Sequence, residues 1–217
     1  MSEFLKRFLT SIVLLPIFFY FIYLSNLHLI SLLFFFYILS AFEIYKNSKS
    51  IKLNIFGNVV LVLAFFSLFF LRGESNYTLV ILFWILISTF LSDIGGYVFG
   101  KTFKGKKLTK ISPKKTYSGA VGSLFLSVIS LPLVNFLQKF FLDEILINTI
   151  NYKYFTLTLL ISIICQIGDI FVSSIKRKIN IKDTSNLLPG HGGIIDRIDG
   201  LIFVLIFSSV LKTYGII

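Results

Sequence analysis

The chain has 217 residues, of which 56% are hydrophobic and 14% charged, and its formal net charge is +11. This composition is typical of a polytopic membrane protein and excludes a soluble globular domain. The basic residues stand in short segments between apolar runs, which membrane orientation explains, so nucleic acid is not an expected partner.

The apolar runs predict an all-α, polytopic integral membrane helix bundle with about seven transmembrane helices. Lys6 and Arg7 precede the first run without a small-residue cleavage site, so we interpret that run as a retained span. No charge follows until Glu43, a stretch too long for one crossing of about 30 Å, and we expect a turn at Ser25 and Asn26. The predicted spans are Phe8–Leu24, Leu27–Tyr45, Leu53–Leu71, Tyr77–Phe99, Ala120–Leu137, Phe155–Ile175 and Ile195–Tyr214.

Basic residues concentrate in alternate loops, and this fixes the predicted orientation. Apart from Arg72, Lys139, Lys153 and Lys212, every Lys and Arg stands at the N-terminus or in the loops that follow spans two, four and six. Because cytoplasmic loops carry the excess of Lys and Arg, we predict a cytoplasmic N-terminus and two large basic cytoplasmic loops.

Acidic residues form three stripes at the predicted cytoplasmic ends of spans. The stripes are Asp169, Ser173, Lys176 and Arg177 on span six, Asp196 and Asp199 on span seven, and Asp93 on span four. Acids within membrane spans usually mark a functional site, and three converging carboxylate faces would suit a hard cation such as Mg²⁺. The alternative is that each aspartate pairs with a neighbouring Lys or Arg at the level of the headgroups.

A glycine-rich turn, residues 188–193, is a candidate phosphate-binding element. Its three glycines could point backbone N–H groups at an anion beside the N-terminus of the last span. His191 in this turn is interpreted as a residue that binds phosphate or orients a metal ligand. The alternative is a plain polar loop in which His191 bonds to the backbone.

A lysine-rich loop is the second candidate phosphate-binding element. It runs from Lys101 to Gly119 and holds seven lysines, more than membrane orientation requires. We interpret it as a lid over a polyphosphate, and a loop that touches anionic lipid is the alternative. The candidate ligands on the lid are Ser112, Lys114, Lys115, Thr116 and Ser118.

An ordered series of motifs resembles the phosphatidate cytidylyltransferase family, also called CDP-diacylglycerol synthases. The longest begins at Ser173-Ser-Ile-Lys-Arg, continues through Lys182-Asp183 and ends with Leu187-Leu-Pro-Gly-His-Gly-Gly-Ile-Ile-Asp-Arg-Ile-Asp199. Two further blocks resemble the family: Gln166-Ile-Gly-Asp169, and Ser92-Asp-Ile-Gly-Gly-Tyr97 with Ile111-Ser-Pro-Lys-Lys-Thr-Tyr-Ser-Gly119. The chain departs from the family at Gly96 and Ser118, where Ala and Glu are commoner. The first three spans match only as hydrophobic helices, and we expect one or two early spans to be missing.

The resemblance implies the reaction of CTP with phosphatidic acid to give CDP-diacylglycerol and pyrophosphate, with Mg²⁺ as cofactor. It implies that Asp169 and Asp196 are metal ligands, with Asp93 and Asp199 as auxiliary ligands. It also implies that lipid phosphate or triphosphate is bound by Lys176, Arg177 and Arg197, together with the hydroxyl of Ser173. The further candidate substrate-binding residues are Ser112, Lys114, Lys115, Thr116, Lys182, Asp183, His191, Gly192 and Gly193.

Two alternative functions stay open from the sequence. One is a CTP-dependent kinase of a lipid alcohol such as dolichol or another polyprenol, which would transfer the γ-phosphate of CTP. The other is a cation transporter lined by Asp93, Asp169 and Asp196, although these acids cluster near one end of their spans.

The expected partners are CTP, phosphatidic acid and membrane lipid, and the sequence leaves open whether the chain forms a homodimer. We expect a multi-pass protein of the bacterial inner (cytoplasmic) membrane whose active site faces the cytoplasm. We divide the chain into N-terminal transmembrane helices, residues 1–75, and a catalytic transmembrane region with the two basic loops, residues 76–217.

Overall fold

The computed structural model of the chain describes residues 16–24, 26–109, 112–185, 187 and 192–217. These residues are mainly helical and contain no β-strand beyond one isolated bridge, which confirms the all-α prediction. The helices are α1 (residues 16–24), α2 (Asn26–Asn47), α3 (Ile51–Arg72), α4 (Asn76–Phe103), α5 (Tyr117–Val128), α6 (Ser130–Leu142), α7 (Tyr152–Lys178) and α8 (Ile195–Thr213).

Five stretches of the described residues are long and apolar enough to cross a membrane, which confirms a multi-pass architecture. They are Leu27–Asn47, Ile51–Arg72, Asn76–Phe103, Tyr117–Leu142 and Tyr152–Lys178. Helix α8 has 19 residues but opens with Asp196, Arg197 and Asp199 and carries Lys212 in its last turn, so its apolar part is short. The first predicted span lies partly outside the described residues, and the total of seven spans stays a prediction.

The predicted fifth span, Ala120–Leu137, is two helices in the structure. Helix α5 ends at Val128 and α6 begins at Ser130, with a turn at Ile129 between them. Pro132 has no backbone N–H, and its ring would clash with the carbonyl group four residues earlier in a continuous helix. The predicted span is therefore found as one apolar stretch, Tyr117–Leu142, which consists of two helices and breaks one turn before this proline.

At one end of the bundle, the ends of α1, α3 and α8 lie together. The Arg72 side chain at the end of α3 donates through Nε to the carbonyl oxygen of Ile22 in α1, 2.7 Å away. Lys212 near the end of α8 donates to the carbonyl oxygen of Phe70 in α3, also at 2.7 Å. Helix C-termini leave carbonyl groups without intrahelical partners, and these two cations satisfy some of them.

The opposite end of the bundle, called here the basic face, contains the ends of α2, α4 and α7 and the starts of α3, α5 and α8. Asn47 at the end of α2 donates to the carbonyl oxygen of Thr184, 2.5 Å away, in the segment before α8. A Cβ atom on Gly100 near the end of α4 would lie 3.2 Å from the hydroxyl of Thr116, which precedes α5. Both basic loops of the sequence therefore emerge from the same face of the bundle.

Helices α4 and α5 pack so closely that small residues are required between them. A Cβ atom on Gly95 would lie 2.3 Å from the carbonyl oxygen of Gly122. The loop that joins them closes into a short hairpin, in which Leu108 N–H donates to Lys115 and Tyr117 N–H donates to Lys106, at 2.8 and 3.1 Å. The lysine-rich loop is thus held at both ends by one rigid helix pair.

Candidate active site

Asp196 is held by three hydrogen bonds and lies close to one hydroxyl group where α8 begins. Its Oδ2 accepts from the backbone N–H groups of Thr184 and Gly193, at 2.8 and 2.9 Å, and lies 3.1 Å from the Thr184 hydroxyl. Its Oδ1 accepts from Nζ of Lys176 on α7, at 2.9 Å. Lys176 is buried, and its Nζ also lies 3.5 Å from Oδ2 of Asp199. Two carboxylates from α8 therefore compensate the cost of burying this ammonium group.

Asp169 lies about two turns before Lys176 on the same face of α7 and pairs with the lysine-rich loop. Its Oδ2 lies 2.5 Å from Nζ of Lys115, and its Oδ1 accepts from the Ser173 hydroxyl at 3.4 Å. Asp93 on α4 and Asp199 on α8 both interact electrostatically with Asp169. The structure thus brings together aspartates from three helices. It also shows aspartates paired with lysines, which was the alternative interpretation of these acidic residues.

The donor set is chemically suited to a hard divalent cation, because Mg²⁺ prefers carboxylate oxygens together with water and substrate phosphate. Among the described residues, no three Asp, Glu, His or Cys side chains are grouped closely enough to hold an ion as they stand. Within the described part of the chain, only Lys176 donates to Oδ1 of Asp196, and a carboxylate oxygen has two lone pairs, so a metal could bind this oxygen beside Lys176. The assignment of Asp169, Asp196 and Asp93 as metal ligands stays a prediction.

The predicted lid residues have different roles in the local structure. Thr116 caps the start of α5 through its hydroxyl, and Ser118 donates to a backbone carbonyl of the lid. The carbonyl oxygen of Ser112 accepts from the backbone of Lys115 in the turn between the hairpin arms. Lys114 is exposed on the basic face, whereas Lys115 reaches Asp169. The lid therefore touches the acidic residues through one lysine and offers another to the outside.

The remaining predicted cations and anions lie around the rim of the site. The side chains of Arg177, Lys182, Asp183 and Arg197 are exposed. Arg177 donates to the carbonyl oxygen of Ile181 at 2.8 Å, and Arg197 interacts electrostatically with Asp93. The three cations among them could meet a bound anion, whereas the carboxylate of Asp183 would repel it.

Two of the three residues predicted in the glycine-rich turn are described, and His191 lies outside the described residues. Gly192 has a φ angle of +85°, which favours glycine. A Cβ atom on Gly193 would lie 1.9 Å from the hydroxyl of Thr184. These glycines let the backbone turn tightly against the segment that holds Asp196.

Glu43 on α2 is completely buried beside the start of α8 and was not among the predicted site residues. Its carboxylate accepts hydrogen bonds from Thr184, Ser185, Ile194 and Ile195. The available signal was that Glu43 is the only acidic residue between Arg7 and Arg72, at the end of an apolar run. Acidic residues within membrane spans usually mark functional sites, and this applies to Glu43 as it does to Asp93.

An apolar cleft lies between α2, α3, α7 and α8. Glu43, Lys176 and Thr184 are among its lining residues, but the surface that it exposes is almost entirely apolar. Its apolar walls include Phe56, Val60, Phe171, Val172, Ile175 and Phe203. Phe56 and Phe171 are also exposed on the outside of the bundle, so the cleft meets the surface between α3 and α7.

Several known proteins are similar to this chain over most of its length. The model of the cytidylyltransferase family matches residues 47–214. A phosphatidate cytidylyltransferase of Rickettsia conorii is 34% identical over 168 residues, covering 76% of this chain and 72% of that protein. One of Rickettsia felis is 36% identical over 168 residues, covering 75% and 73%. One of Staphylococcus aureus is 39% identical over 145 residues, covering 66% of this chain and about half, 53%, of that protein.

Proposed function

Because the chain belongs to the cytidylyltransferase family, we propose that it is a phosphatidate cytidylyltransferase. It would convert CTP and phosphatidic acid into CDP-diacylglycerol and pyrophosphate. The relatives that carry this name are 34–39% identical to the chain. The family match, residues 47–214, includes every motif on which the resemblance was based. Neither a lipid-alcohol kinase nor a cation transporter receives comparable support.

The observation that carries the proposal is an apolar cleft that has Lys176 among its lining residues. Phosphatidic acid has apolar acyl chains and a phosphate headgroup, so its binding site must offer both an apolar surface and a cation. The cleft has walls of Phe, Val and Ile, which suit acyl chains, and the ammonium group of Lys176 lies beside Asp196 and Asp199 in the predicted active site. Arg177, the next residue in the chain, is exposed, so its guanidinium group can meet an anionic headgroup.

The chemistry requires no nucleophilic side chain, because the phosphate of phosphatidic acid is itself the nucleophile. One of its oxygens forms a bond to the α-phosphorus of CTP, and the bond between that phosphorus and the bridging oxygen of the β-phosphate breaks. Pyrophosphate leaves with the electron pair. The protein therefore acts by positioning two anions and neutralising their charge. Lys176 and Arg177 would hold the lipid phosphate, and Lys114 and Lys115 would hold the triphosphate.

Mg²⁺ held by Asp169, Asp196 and Asp93 would supply additional positive charge to the triphosphate. Ser173 would then orient the Asp169 carboxylate, to which its hydroxyl already donates at 3.4 Å. Asp199 would keep Lys176 beside the substrates. These assignments combine the resemblance with the positions of the side chains.

The proposed location is the inner membrane of a bacterium, with the basic face towards the cytoplasm. The relatives are bacterial, and the chain has several apolar helices of membrane-spanning length. The basic face collects the loops rich in lysine and arginine, which favours a cytoplasmic position. CTP would then reach the site from the cytosol, while the acyl chains of phosphatidic acid remain in the bilayer.

The test uses the purified chain in detergent–lipid micelles with CTP labelled at either the α- or the γ-phosphate. With phosphatidic acid as acceptor, we expect the α label to enter the lipid fraction and the γ label to appear in pyrophosphate. Diacylglycerol and dolichol, which lack the acceptor phosphate, serve as controls and should remain unlabelled. Entry of the γ label into dolichol, with no α label in any lipid, would refute cytidylyl transfer and support the kinase.

A further inference from the structure

We propose that Glu43 is a positioning residue for the reaction, which fixes Asp196 and Lys176 in place through the segment that leads into α8. This inference rests on the proposed function. Glu43 lies in the last turns of α2, whereas the residues predicted to act on substrate lie on α4, α7, α8, the lid and the segment between α7 and α8. Its role is therefore to hold other residues and not to touch the reacting atoms.

The Glu43 carboxylate caps α8 from another helix. Its Oε1 accepts from the N–H group of Ile194 at 2.8 Å, and its Oε2 accepts from that of Ile195 at 3.1 Å. The residue before α8 is Ile194, which has no side chain able to cap the helix. The first N–H groups of a helix have no intrahelical partner and carry partial positive charge, so a buried carboxylate there is well stabilised. Glu43 thereby sets where α8 begins.

The same carboxylate also holds the segment that precedes the glycine-rich turn. Oε2 accepts from the hydroxyl of Thr184 at 2.8 Å, and Oε1 accepts from that of Ser185 at 2.6 Å. One helical turn further along α2, Asn47 donates to the carbonyl oxygen of Thr184. The two ends of the segment from Thr184 to Ile195 are thus attached to one side chain.

Thr184 connects this anchor to the predicted active site. Its hydroxyl lies between Oε2 of Glu43 and Oδ2 of Asp196, and its backbone N–H donates to Asp196 at 2.8 Å. Asp196 in turn accepts from Lys176. A displacement of Thr184 would therefore move the carboxylate that positions the buried lysine.

The packing around Glu43 leaves little room for an altered arrangement. A Cβ atom on Gly193 would lie 1.9 Å from the Thr184 hydroxyl and 2.7 Å from Oε2 of Glu43. The position of the backbone at Gly193 is thus set by direct contact with the anchor. In such a packed site, a shift of about 1 Å in a catalytic group can reduce the rate by about 10²-fold.

Glu43→Gln is the sharpest variant, because it preserves the shape of the side chain. Every one of the four groups around Glu43 donates to it, and a glutamine amide has only one accepting oxygen. The NH₂ group would face two donors, so one end of the anchored segment must move. Ser40→Ala is the matched control, since Ser40 is also completely buried on α2, about one turn earlier.

The experiment compares kcat and KM of wild type, Glu43→Gln and Ser40→Ala in the α-labelled CTP assay. We expect Glu43→Gln to lower kcat by about 10²-fold and to leave KM for CTP and for phosphatidic acid unchanged. The variant would misplace groups that act in the transition state without removing a contact to either substrate. Ser40→Ala should retain the wild-type kcat. An active wild type together with a Glu43→Gln variant of wild-type kcat would overturn this inference alone. A wild type without cytidylyl transfer would overturn the proposed function together with this inference.

Hydrogen exchange supplies a second readout that does not need turnover. Glu43→Gln should accelerate amide exchange in the peptide that contains Ile194 and Ile195, and Ser40→Ala should not. Unchanged exchange in Glu43→Gln would contradict the proposal. If that variant does not accumulate, Thr184→Val replaces it, because it removes only the shared hydroxyl. We expect Thr184→Val to lower kcat at least tenfold with unchanged KM, and a wild-type kcat would again overturn the proposal.

Discussion

At the residue scale, the site consists of lysine–aspartate pairs. The sequence predicted which residues belong to the site, but not which of them pair with each other. Lys176 was expected to bind a substrate phosphate, and in the structure it lies between Asp196 and Asp199. Lys115 was expected to hold nucleotide and pairs with Asp169. Helical spacing identifies which residues share a face, but it does not reveal which groups from different helices meet.

Substitution of either principal aspartate tests the predicted site directly. We expect Asp169→Asn and Asp196→Asn each to lower kcat by about 10²-fold or more, because a fixed charge that organises the transition state is lost. Both proteins should still insert into membranes. Asp143→Asn is the control, since Asp143 is exposed in the loop after α6 and has a φ angle of 57°, which Asn tolerates. Full activity of either site variant would remove that residue from the mechanism.

The exposed lysine of the lid tests nucleotide binding separately from lipid binding. We expect Lys114→Ala to raise KM for CTP about tenfold, the effect of one lost charge-assisted contact, with a smaller change in KM for phosphatidic acid. Lys139→Ala, on an exposed residue of α6 near the other end of the bundle, should change neither constant. Equal increases in both constants for Lys114→Ala would contradict a lid specific for nucleotide.

At the element scale, apolar runs located the helices well and described their ends poorly. Predicted span four was Tyr77–Phe99, and α4 continues to Phe103, because a lysine can follow an apolar run without ending the helix. The break at Ile129 follows from Pro132, and hydropathy alone does not show it, because both sides of the break are apolar. Hydropathy measures transfer into lipid, whereas helix ends depend on local hydrogen bonds.

The contact between α4 and α5 can be tested with neighbouring glycines. We expect Gly95→Ala to destabilise the protein by about 1–3 kcal/mol, because the new methyl group would meet the backbone of Gly122. Gly96→Ala should cost less, because its methyl group would meet only the hydroxyl of Ser123, which can rotate away. Thermal unfolding in detergent micelles measures the difference, and the gain in helix propensity is common to both variants. Equal stability of the two would show that the helices are not in close contact.

At the scale of the whole molecule, sequence patterns predicted the helical class and the clustering of the basic loops, but not the connection between distant segments. Glu43 of α2 contacts the start of α8 across more than 150 residues of sequence. Such a contact depends on how the helices pack, which single-helix periodicity does not contain. The boundary placed at residue 75 stays a prediction, and α2 contributes to the site from its N-terminal side.

The orientation of the bundle can be measured by labelling introduced cysteines. The natural Cys165 is completely buried, so a membrane-impermeant maleimide should leave it unmodified. We expect Lys106→Cys on the lid to react only in inverted vesicles and Glu74→Cys, in the exposed loop between α3 and α4, only in right-side-out vesicles. The opposite pattern would place the basic face outside the cytoplasm.

The hydrogen bonds of Arg72 and Lys212 to backbone carbonyl oxygens have a consequence for redesigning the topology of this protein. These two cations connect the ends of neighbouring helices. The number of basic residues at that end therefore overstates the positive charge that is free to interact with lipid headgroups. Neutralising Arg72 or Lys212 to strengthen the preferred membrane orientation would weaken the contacts between helices. Lys139 is the better position for such a change.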